Sequence, residues 1–567
     1  MGVKEAPEMA VFTPHPYPLP QGEREDNSWE FIGREFMEKF EAPYLLGIDV
    51  GTTGCKTELM DVQGNSTARA YREYPLIFPR VSWVEHDGEA GWWKATVDTI
   101  QEVLGKSKID PKEVKGLSIS CTNALIAVDK EGNKLRPGIM QFDKRTIDQV
   151  QKIKAKLGDR VIKITGNQPA ASGTSAPIIL WIKENEPDIF KKTHFFLWPG
   201  GFVNYKLTGQ FTMEWSRASW TCLFETGGKQ KWSEEICGAL DIPLEKLPPL
   251  VPSWKVIGEI TDKAAKITGL AKGTPVVGGM ADTPAAGIGT GAVAPGRTCQ
   301  IMGTTGRPCI VLDKPKFDPR FINCCHAVPD CWFSLGAVDN AGLSIKWFRD
   351  QFGQQEVSVA NLMKKNAFDL LDEEASLSPP GANGIIFLPY LAGERSPIWD
   401  PYARGVLFGL SVTHTRADII RAILEGVAYT FAHNLDIFEG ELGMKMDEVF
   451  LSGGGSKSLQ WQQMHADVSG KVVKVVQVKE SEAIGNSILA GFGVGIYKDM
   501  VEAADRVIKV EKTVEPKKEN YERYKKFFQL YKTLYAHLKE DFVTLAKRRG
   551  EKERTGIMEY WKIGRTE

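Results

Sequence analysis

The chain is predicted to be an α/β protein of two similar halves that face each other across a cleft. Three observations predict it. The tetrapeptide Gly-Thr-Thr-Gly occurs in "GIDVGTTGCKTELMD" (47–61) and again, about half a chain later, in "CQIMGTTGRPCIVLD" (299–313), each time between two short apolar runs. The run "EVFLSGGGSKSLQWQQMHADVSG" (448–470) reads as strand, glycine turn and helix. The 567 residues, 42% apolar and 25% charged, suffice for two large cores and are too apolar for a disordered chain.

In chain order, residues 1–43 are first Pro-rich ("TPHPYPLPQGE") and then charged, without the apolar centre of a signal peptide. They read as a disordered leader, and Met37 is a candidate native start. "YLLGIDV" is an apolar strand, and "KTELMDVQG" returns beside it across a glycine turn, which makes a hairpin. "VKGLSISC" and "NALIAVD" read as further strands, and "SAPIILWIKENEPDIFKKT" has helical spacing. "TPVVGGMADTPAAGIGTGAVAPG" begins as a buried strand and becomes rich in small residues. The join between the halves is placed there, giving a first half over 44–290 and a second over 291–545. The second half repeats the logic: a hairpin at 297–313, the long helical run "THTRADIIRAILEGVAYTFAHNLDIFE", the strand–turn–helix unit, and an amphipathic terminal helix in "NYERYKKFFQLYKTLYAHLKEDF". Residues 546–567, with "AKRRGEKER", read as a solvated charged tail.

Charge and cysteine usage narrow the partners. Lys+Arg 71 against Asp+Glu 72 argues against a nucleic-acid or membrane-surface protein. No run approaches the roughly 18 apolar residues of a membrane span. Nine cysteines in this length are no disulfide framework, and a reducing, cytoplasmic setting fits. In "NCCHAVPDCW", Cys324, Cys325, His326 and Cys331 are poorly spaced for one tetrahedral zinc, and the cysteines read as buried or partly exposed thiols. Trp92, Trp93, Trp181 and Trp461 sit in helical patterns and read as packing residues, and His465 reads as a surface or packing residue.

The repeated tetrapeptide has a chemical use. Its backbone N–H groups, its two hydroxyls and the positive φ open to glycine can wrap a phosphate chain. Two such turns, Gly51–Thr53 and Gly303–Thr305, could clamp a triphosphate from both sides of the cleft. The helix-opening phosphate loop GxxxxGK[ST] is absent. Asp49 precedes the first turn, where a carboxylate can hold Mg²⁺ directly or through water; Ile301 stands at the matching place in the second half. Asp282 follows a buried strand near the join of the halves. It can either accept a proton from a substrate hydroxyl during phosphoryl transfer or cap a helix. "LSGGGSKS" (451–458) permits close approach of a flat ring or a phosphate.

At these residues the chain resembles the FGGY carbohydrate kinases, most of all their xylulokinase-like members. The resemblance runs from about Tyr44 to Phe542. Its most specific part is "GVLFGLSVTHTRADIIRAILE" (405–425), which resembles the family's C-terminal signature along its length. The resemblance implies two actin-like (ribonuclease H-like) domains with mixed sheets, and an interdomain nucleotide cleft for ATP and Mg²⁺. It implies Asp282 as general base and Asp49 near the metal. Thr52, Thr53 and Lys56 fall in the first phosphate loop, and Gly303, Thr304 and Thr305 in the second. Gly453, Gly454, Gly455 and Ser456 fall beside the adenosine. Trp83, Thr122, Asn123, Phe142, Asp143 and Thr283 fall on the sugar side. Many members form dimers, so a homodimer is among the assemblies it allows.

The departures fall on the sugar side. The xylulokinase-like members usually show Met-His where this chain has Thr122-Asn123, Trp-Asn-Asp where it has Gln141-Phe142-Asp143, and Asn where it has Thr283. Trp83, Glu85 and Asp87 are kept, with Gly88 where Pro is common, and Ile178 stands where the N-terminal signature expects Lys. A changed hydroxyl-binding set changes which sugar is accepted. The expectation is therefore a kinase of a small sugar or polyol, with a ketopentose such as xylulose first. Two readings stand beside it: a non-catalytic actin-like ATPase, and a weak kinase kept as a sugar sensor.

Overall fold

The computed structural model describes residues 42–476 and 480–549. The expected leader up to residue 41, with Met37, and the tail beyond Arg549 lie outside the described residues.

Two mixed sheets carry the fold. In the first the strands lie in the order Val256–Glu259, Pro275–Ala281, Val114–Cys121, Tyr44–Val50, Gly54–Asp61, Ser66–Glu73. In the second the order is Ile322–Cys325, Trp332–Leu335, Gly306–Leu312, Thr298–Met302, Glu448–Ser452, Val472–Val476, Val510–Val514. Both contain the same arrangement. An antiparallel hairpin (Tyr44–Val50 with Gly54–Asp61; Thr298–Met302 with Gly306–Leu312) extends on one side to a third antiparallel strand. On the other side its first strand runs parallel to two later strands. The strands at the centre read as near-continuous apolar runs because both faces are covered; every residue of Tyr44–Val50 is buried.

Beyond the last parallel strand of each sheet a helix begins, Asp282–Ile288 in the first half and Ser481–Gly493 in the second. The two helices touch backbone to backbone. A Cβ on Gly485 would lie 2.0 Å from the Ala285 carbonyl oxygen, and one on Gly289 would lie 1.9 Å from that of Ser481. The small residues of "TPAAGIG" and "AIGNSILAG" are thus a contact surface. Ser481–Gly493 also lies on the first sheet, where Asn486 Nδ2 donates to the Ile48 carbonyl at 2.9 Å. Helix Ser481–Gly493 therefore packs on the first sheet before the chain rejoins the second sheet at Val510–Val514.

The remaining elements follow their sequence signals with local differences. Helix Arg416–Gly440 starts at a reciprocal Thr415–Asp418 capping box. The terminal helix Lys518–Arg548 runs past residue 545, into the expected tail. "SAPIILWIKENEPDIFKKT" divides into helices Ser175–Asn185 and Pro187–Lys192, because Glu186 precedes a proline. "NALIAVD" is a strand, Ala124–Val128, of a separate four-stranded sheet with Glu85–His86, Gly138–Met140 and Phe195–Leu197. Trp83, Asn123 and Gln141–Asp143 lie at the ends of that small sheet. Cys324, Cys325, Trp92, Trp181 and Trp461 are buried, and Trp93 is partly buried against the core. His465 is buried too, its Nδ1 2.6 Å from Gln300 Oε1. Among the described residues no helix is long and apolar enough to cross a membrane.

Candidate active site

The two Gly-Thr-Thr-Gly turns stand out from buried strands with exposed tips, at Thr53 and at Gly303, Thr304 and Thr305. They are not the same turn. The first hairpin pairs Val50 with Cys55 and closes with Gly51 N–H donating to the Gly54 carbonyl at 2.9 Å. The second pairs Met302 with Gly306, and Gly303 N–H donates to the Thr305 carbonyl at 2.9 Å. The expectation of positive φ in these turns is corrected: none of their four glycines is left-handed. Packing calls for two of them instead, since a Cβ on Gly54 would meet the Tyr71 ring at 2.4 Å and one on Gly306 the Phe431 ring at 2.4 Å.

The third glycine turn does need a left-handed residue. Gly453 has φ 91°, and a Cβ there would lie 2.5 Å from the Met302 carbonyl oxygen. The turn therefore sits against the strand end that leads into the second Gly-Thr-Thr-Gly turn. Gly454 is exposed with open space around it, Gly455 packs on Met302 and Trp461, and the Ser456 hydroxyl donates back to the Gly453 carbonyl at 2.7 Å.

Asp282 owes its position to a bulge. The register of Pro275–Ala281 against Val114–Cys121 shifts between Val277 and Met280, and Gly279 takes φ 91° against the Ile119 carbonyl. Bulges re-aim a strand end. Here Arg217, 1% exposed, pins it by donating to the carbonyls of Met280 and Ile119 while pairing with Glu214 at 3.2 Å. Arg217→Met leaves Glu214 buried without its cation. We expect a loss of about 3–5 kcal/mol, read as a lower denaturation midpoint; an unchanged midpoint would refute this role for Arg217.

Asp282 is the first residue of its helix, with Ala281 in the capping position, so its carboxylate is not the cap. Its Oδ1 accepts from the Thr283 N–H at 2.7 Å and from the Thr283 hydroxyl at 3.2 Å. Burial pushes the Asp282 carboxyl above its ordinary range, Arg307 opposes that, and Glu482 adds to it. Asp49 is 5% exposed; burial first, then Glu482 and Asp282, push it up to about 8 against the Ser120 hydroxyl, which donates to its Oδ1 at 2.7 Å. Ser120 in turn accepts from Asn486 Nδ2 at 2.7 Å. Lys56 reaches the start of the other half's helix and pairs with Glu480 at 2.8 Å.

At the residues expected on the sugar side, Thr122 Oγ1 lies 2.9 Å from Thr52 Oγ1, so its hydroxyl faces the first Gly-Thr-Thr-Gly turn. Asn123 donates to the Gly173 carbonyl at 2.6 Å, while its buried Oδ1 has no partner among the described residues. Asp143 has both oxygens engaged, by Arg145 at 2.7–2.9 Å and by the Val84 N–H at 2.6 Å. Arg145 lies 3.8 Å over the Trp83 ring and holds that wall. Phe142 is 52% exposed. Thr283 binds Asp282 rather than standing free.

Sequence reasoning missed Arg307, Glu482, Ser120, Asn486 and Arg217. Arg307 directly follows the second Gly-Thr-Thr-Gly, and Glu482 starts the helix matching that of Asp282, so both carried a positional signal. Arg217 carried none.

Comparison with known proteins decides the family. The models of the N-terminal and C-terminal domains of the FGGY family of carbohydrate kinases match residues 44–289 and 296–494. The chain belongs to the FGGY family of carbohydrate kinases. It is 33% identical to a xylulose kinase of Bacillus subtilis over 88% of this chain and 97% of that protein. It is 29% identical to a gluconokinase of the same organism over 89% and 98% of the two. Among solved structures, a ligand-bound xylulose kinase from Lactobacillus acidophilus superposes with a TM-score of 0.80 at 26% identity, over 88% of this chain and 99% of that one. As an FGGY member the chain is an ATP-dependent carbohydrate kinase, xylulokinase-like in sequence.

Proposed function

We propose that the protein transfers the γ-phosphoryl group of ATP to a hydroxyl of a small sugar or polyol, with a ketopentose such as xylulose first among candidates and Asp282 as general base. The observation that supports this most is the placement of Asp282. It stands at a bulged strand end, held by Thr283, with its affinity for a proton raised by burial. The substrate hydroxyl gives its proton to Asp282 as its oxygen bonds to the γ-phosphorus. The bond from that phosphorus to the β–γ bridging oxygen breaks, and ADP leaves with the electron pair.

Thr52, Thr53 and Lys56 on one side, and Gly303, Thr304 and Thr305 on the other, hold the phosphates; Gly453, Gly454, Gly455 and Ser456 take the adenosine. Trp83 and Phe142 wall the sugar, with Asp143 acting on Trp83 through Arg145, and the unpartnered Asn123 Oδ1 accepts from a substrate hydroxyl. Bringing the halves together around these groups excludes water and aligns the reacting atoms.

The acidic groups fit Mg²⁺. Asp49 is a buried carboxylate crowded by Glu482 and Asp282, and a hard divalent cation shared with phosphate oxygens relieves such crowding. Asp49 would hold it, and the ion would supply charge neutralisation on the phosphates. The nine cysteines, all free thiols, support a cytoplasmic enzyme.

A second reading, an aldonate kinase, is favoured by the gluconokinase likeness. A coupled ADP-release assay against ketopentoses, aldoses, polyols and aldonates separates the two. Stimulation by a ketopentose supports the first and stimulation by an aldonate the second, while no stimulation by any, with ATP bound, would overturn both. Asn123→His is expected to shift the profile toward xylulose; an unchanged profile would remove Asn123 from specificity.

A further inference from the structure

Lys56 and Arg307 occupy reciprocal places. Each lies just past the turn of its own hairpin and reaches to the helix that starts the other half's machinery. Lys56, on Gly54–Asp61, pairs with Glu480 beside helix Ser481–Gly493. Arg307, on Gly306–Leu312, reaches helix Asp282–Ile288, where its Nη1 donates to Thr283 Oγ1 at 3.2 Å, and its Nη2 donates to Glu482 Oε1 at 3.3 Å.

Those contacts are long. Charge-assisted N–H···O bonds run about 2.7–2.9 Å, and the Arg145–Asp143 pair in this protein meets that range. Arg307 is thus loosely held, with its side chain 29% exposed and its fork beside the Thr283 hydroxyl that donates to Asp282. Glu482 is a carboxylate that Arg307 can leave for a better-matched anion. Burial would raise the Glu482 carboxyl, but Arg307 and then Lys56 outweigh it, so Glu482 is an anion in place.

We propose that Arg307 is a catalytic residue that forks two oxygens of the transferring phosphoryl group, opposite Lys56, and is parked on Glu482 and Thr283 until the nucleotide arrives. This rests on the phosphoryl-transfer reading above. In the transfer step the substrate oxygen bonds to phosphorus, the β–γ bridge breaks toward ADP, and the proton goes to Asp282. Arg307 exchanges no proton or electron and binds the charge spread over the phosphoryl oxygens. A planar guanidinium matches two such oxygens where an ammonium matches one.

The test uses the full chain with ATP and whichever sugar stimulates the wild type. Arg307→Ala is expected to lower kcat by about 10²–10³-fold while leaving both KM values within about threefold. Guanidinium ion at sub-denaturing concentration is expected to restore at least about tenfold, and ammonium at the same ionic strength much less. Arg307→Lys, which keeps the charge without the fork, is expected to retain no more than about a tenth of kcat. Arg307→Ala within about threefold of wild-type kcat would overturn the proposal. So would a loss that guanidinium does not answer in a variant that melts like the wild type. If Arg307→Ala does not fold, Arg307→Lys decides: near-wild-type turnover overturns the fork. A wild type with no sugar-dependent ADP release would instead overturn the phosphoryl-transfer reading itself.

Discussion

Asp282→Ala is expected to lower sugar phosphorylation by at least about a hundredfold while leaving ATP binding nearly intact. Among the described residues its side chain hydrogen-bonds only to its own neighbour Thr283, and the bulge that aims it is held by Arg217 and Gly279, so the fold does not depend on it. The pH profile sharpens the expectation. A general base works deprotonated, so kcat/KM falls as pH drops through its pKa, and burial places that fall above the ordinary carboxylate range. Because Asp282, Asp49 and Glu482 influence one another, the acidic limb reports the group rather than one residue. The variant should lose its rate, and any residual activity should show a shifted acidic limb. Turnover near wild type would remove Asp282 from the chemistry.

Asp49→Asn is expected to abolish most activity, by about a hundredfold or more, and yet to stabilise the nucleotide-free protein at alkaline pH. The sign follows from linkage. Unfolded, Asp49 titrates near 3.9; folded, it is pushed up to about 8 by burial, then Glu482 and Asp282. Between those values the folded state binds the extra proton, so wild-type stability is lost as pH rises from about 4 to about 8. Asparagine keeps an oxygen for the Ser120 hydroxyl and removes the charge. The variant should melt about 2 °C or more above wild type at pH 8, with the gap closing toward pH 5. Mg-ATP should raise the melting temperature of the wild type more than that of the variant. A variant that melts below wild type at pH 8 would contradict the account.

The repeated hairpin, the strand–glycine–helix unit and the long helices were legible because each is a local pattern of apolar spacing and turn residues. The return of Ser481–Gly493 to the first sheet was not, since it depends on Gly485 and Gly289 letting two distant helices touch, and glycine in "AIGNSILAG" reads equally well as a helix weakener. Asp282 and Asp49 were legible as carboxylates at strand ends beside glycine turns. The conformation of the turn glycines was misread, because Tyr71 and Phe431, whose rings require Gly54 and Gly306, are far from obvious partners in the sequence. Arg217 illustrates the limit: a buried arginine that holds two carbonyls across a bulge has no local sequence signature.

The central claim is phosphoryl transfer from ATP to a sugar hydroxyl through Asp282. The most direct test follows ³¹P resonances while wild type and Asp282→Ala act on Mg-ATP and the stimulating sugar. A phosphomonoester that grows in step with ADP in the wild type, and at no more than about a hundredth of that rate in the variant, is the predicted result. ADP without a phosphomonoester, or equal rates in the two proteins, would contradict it.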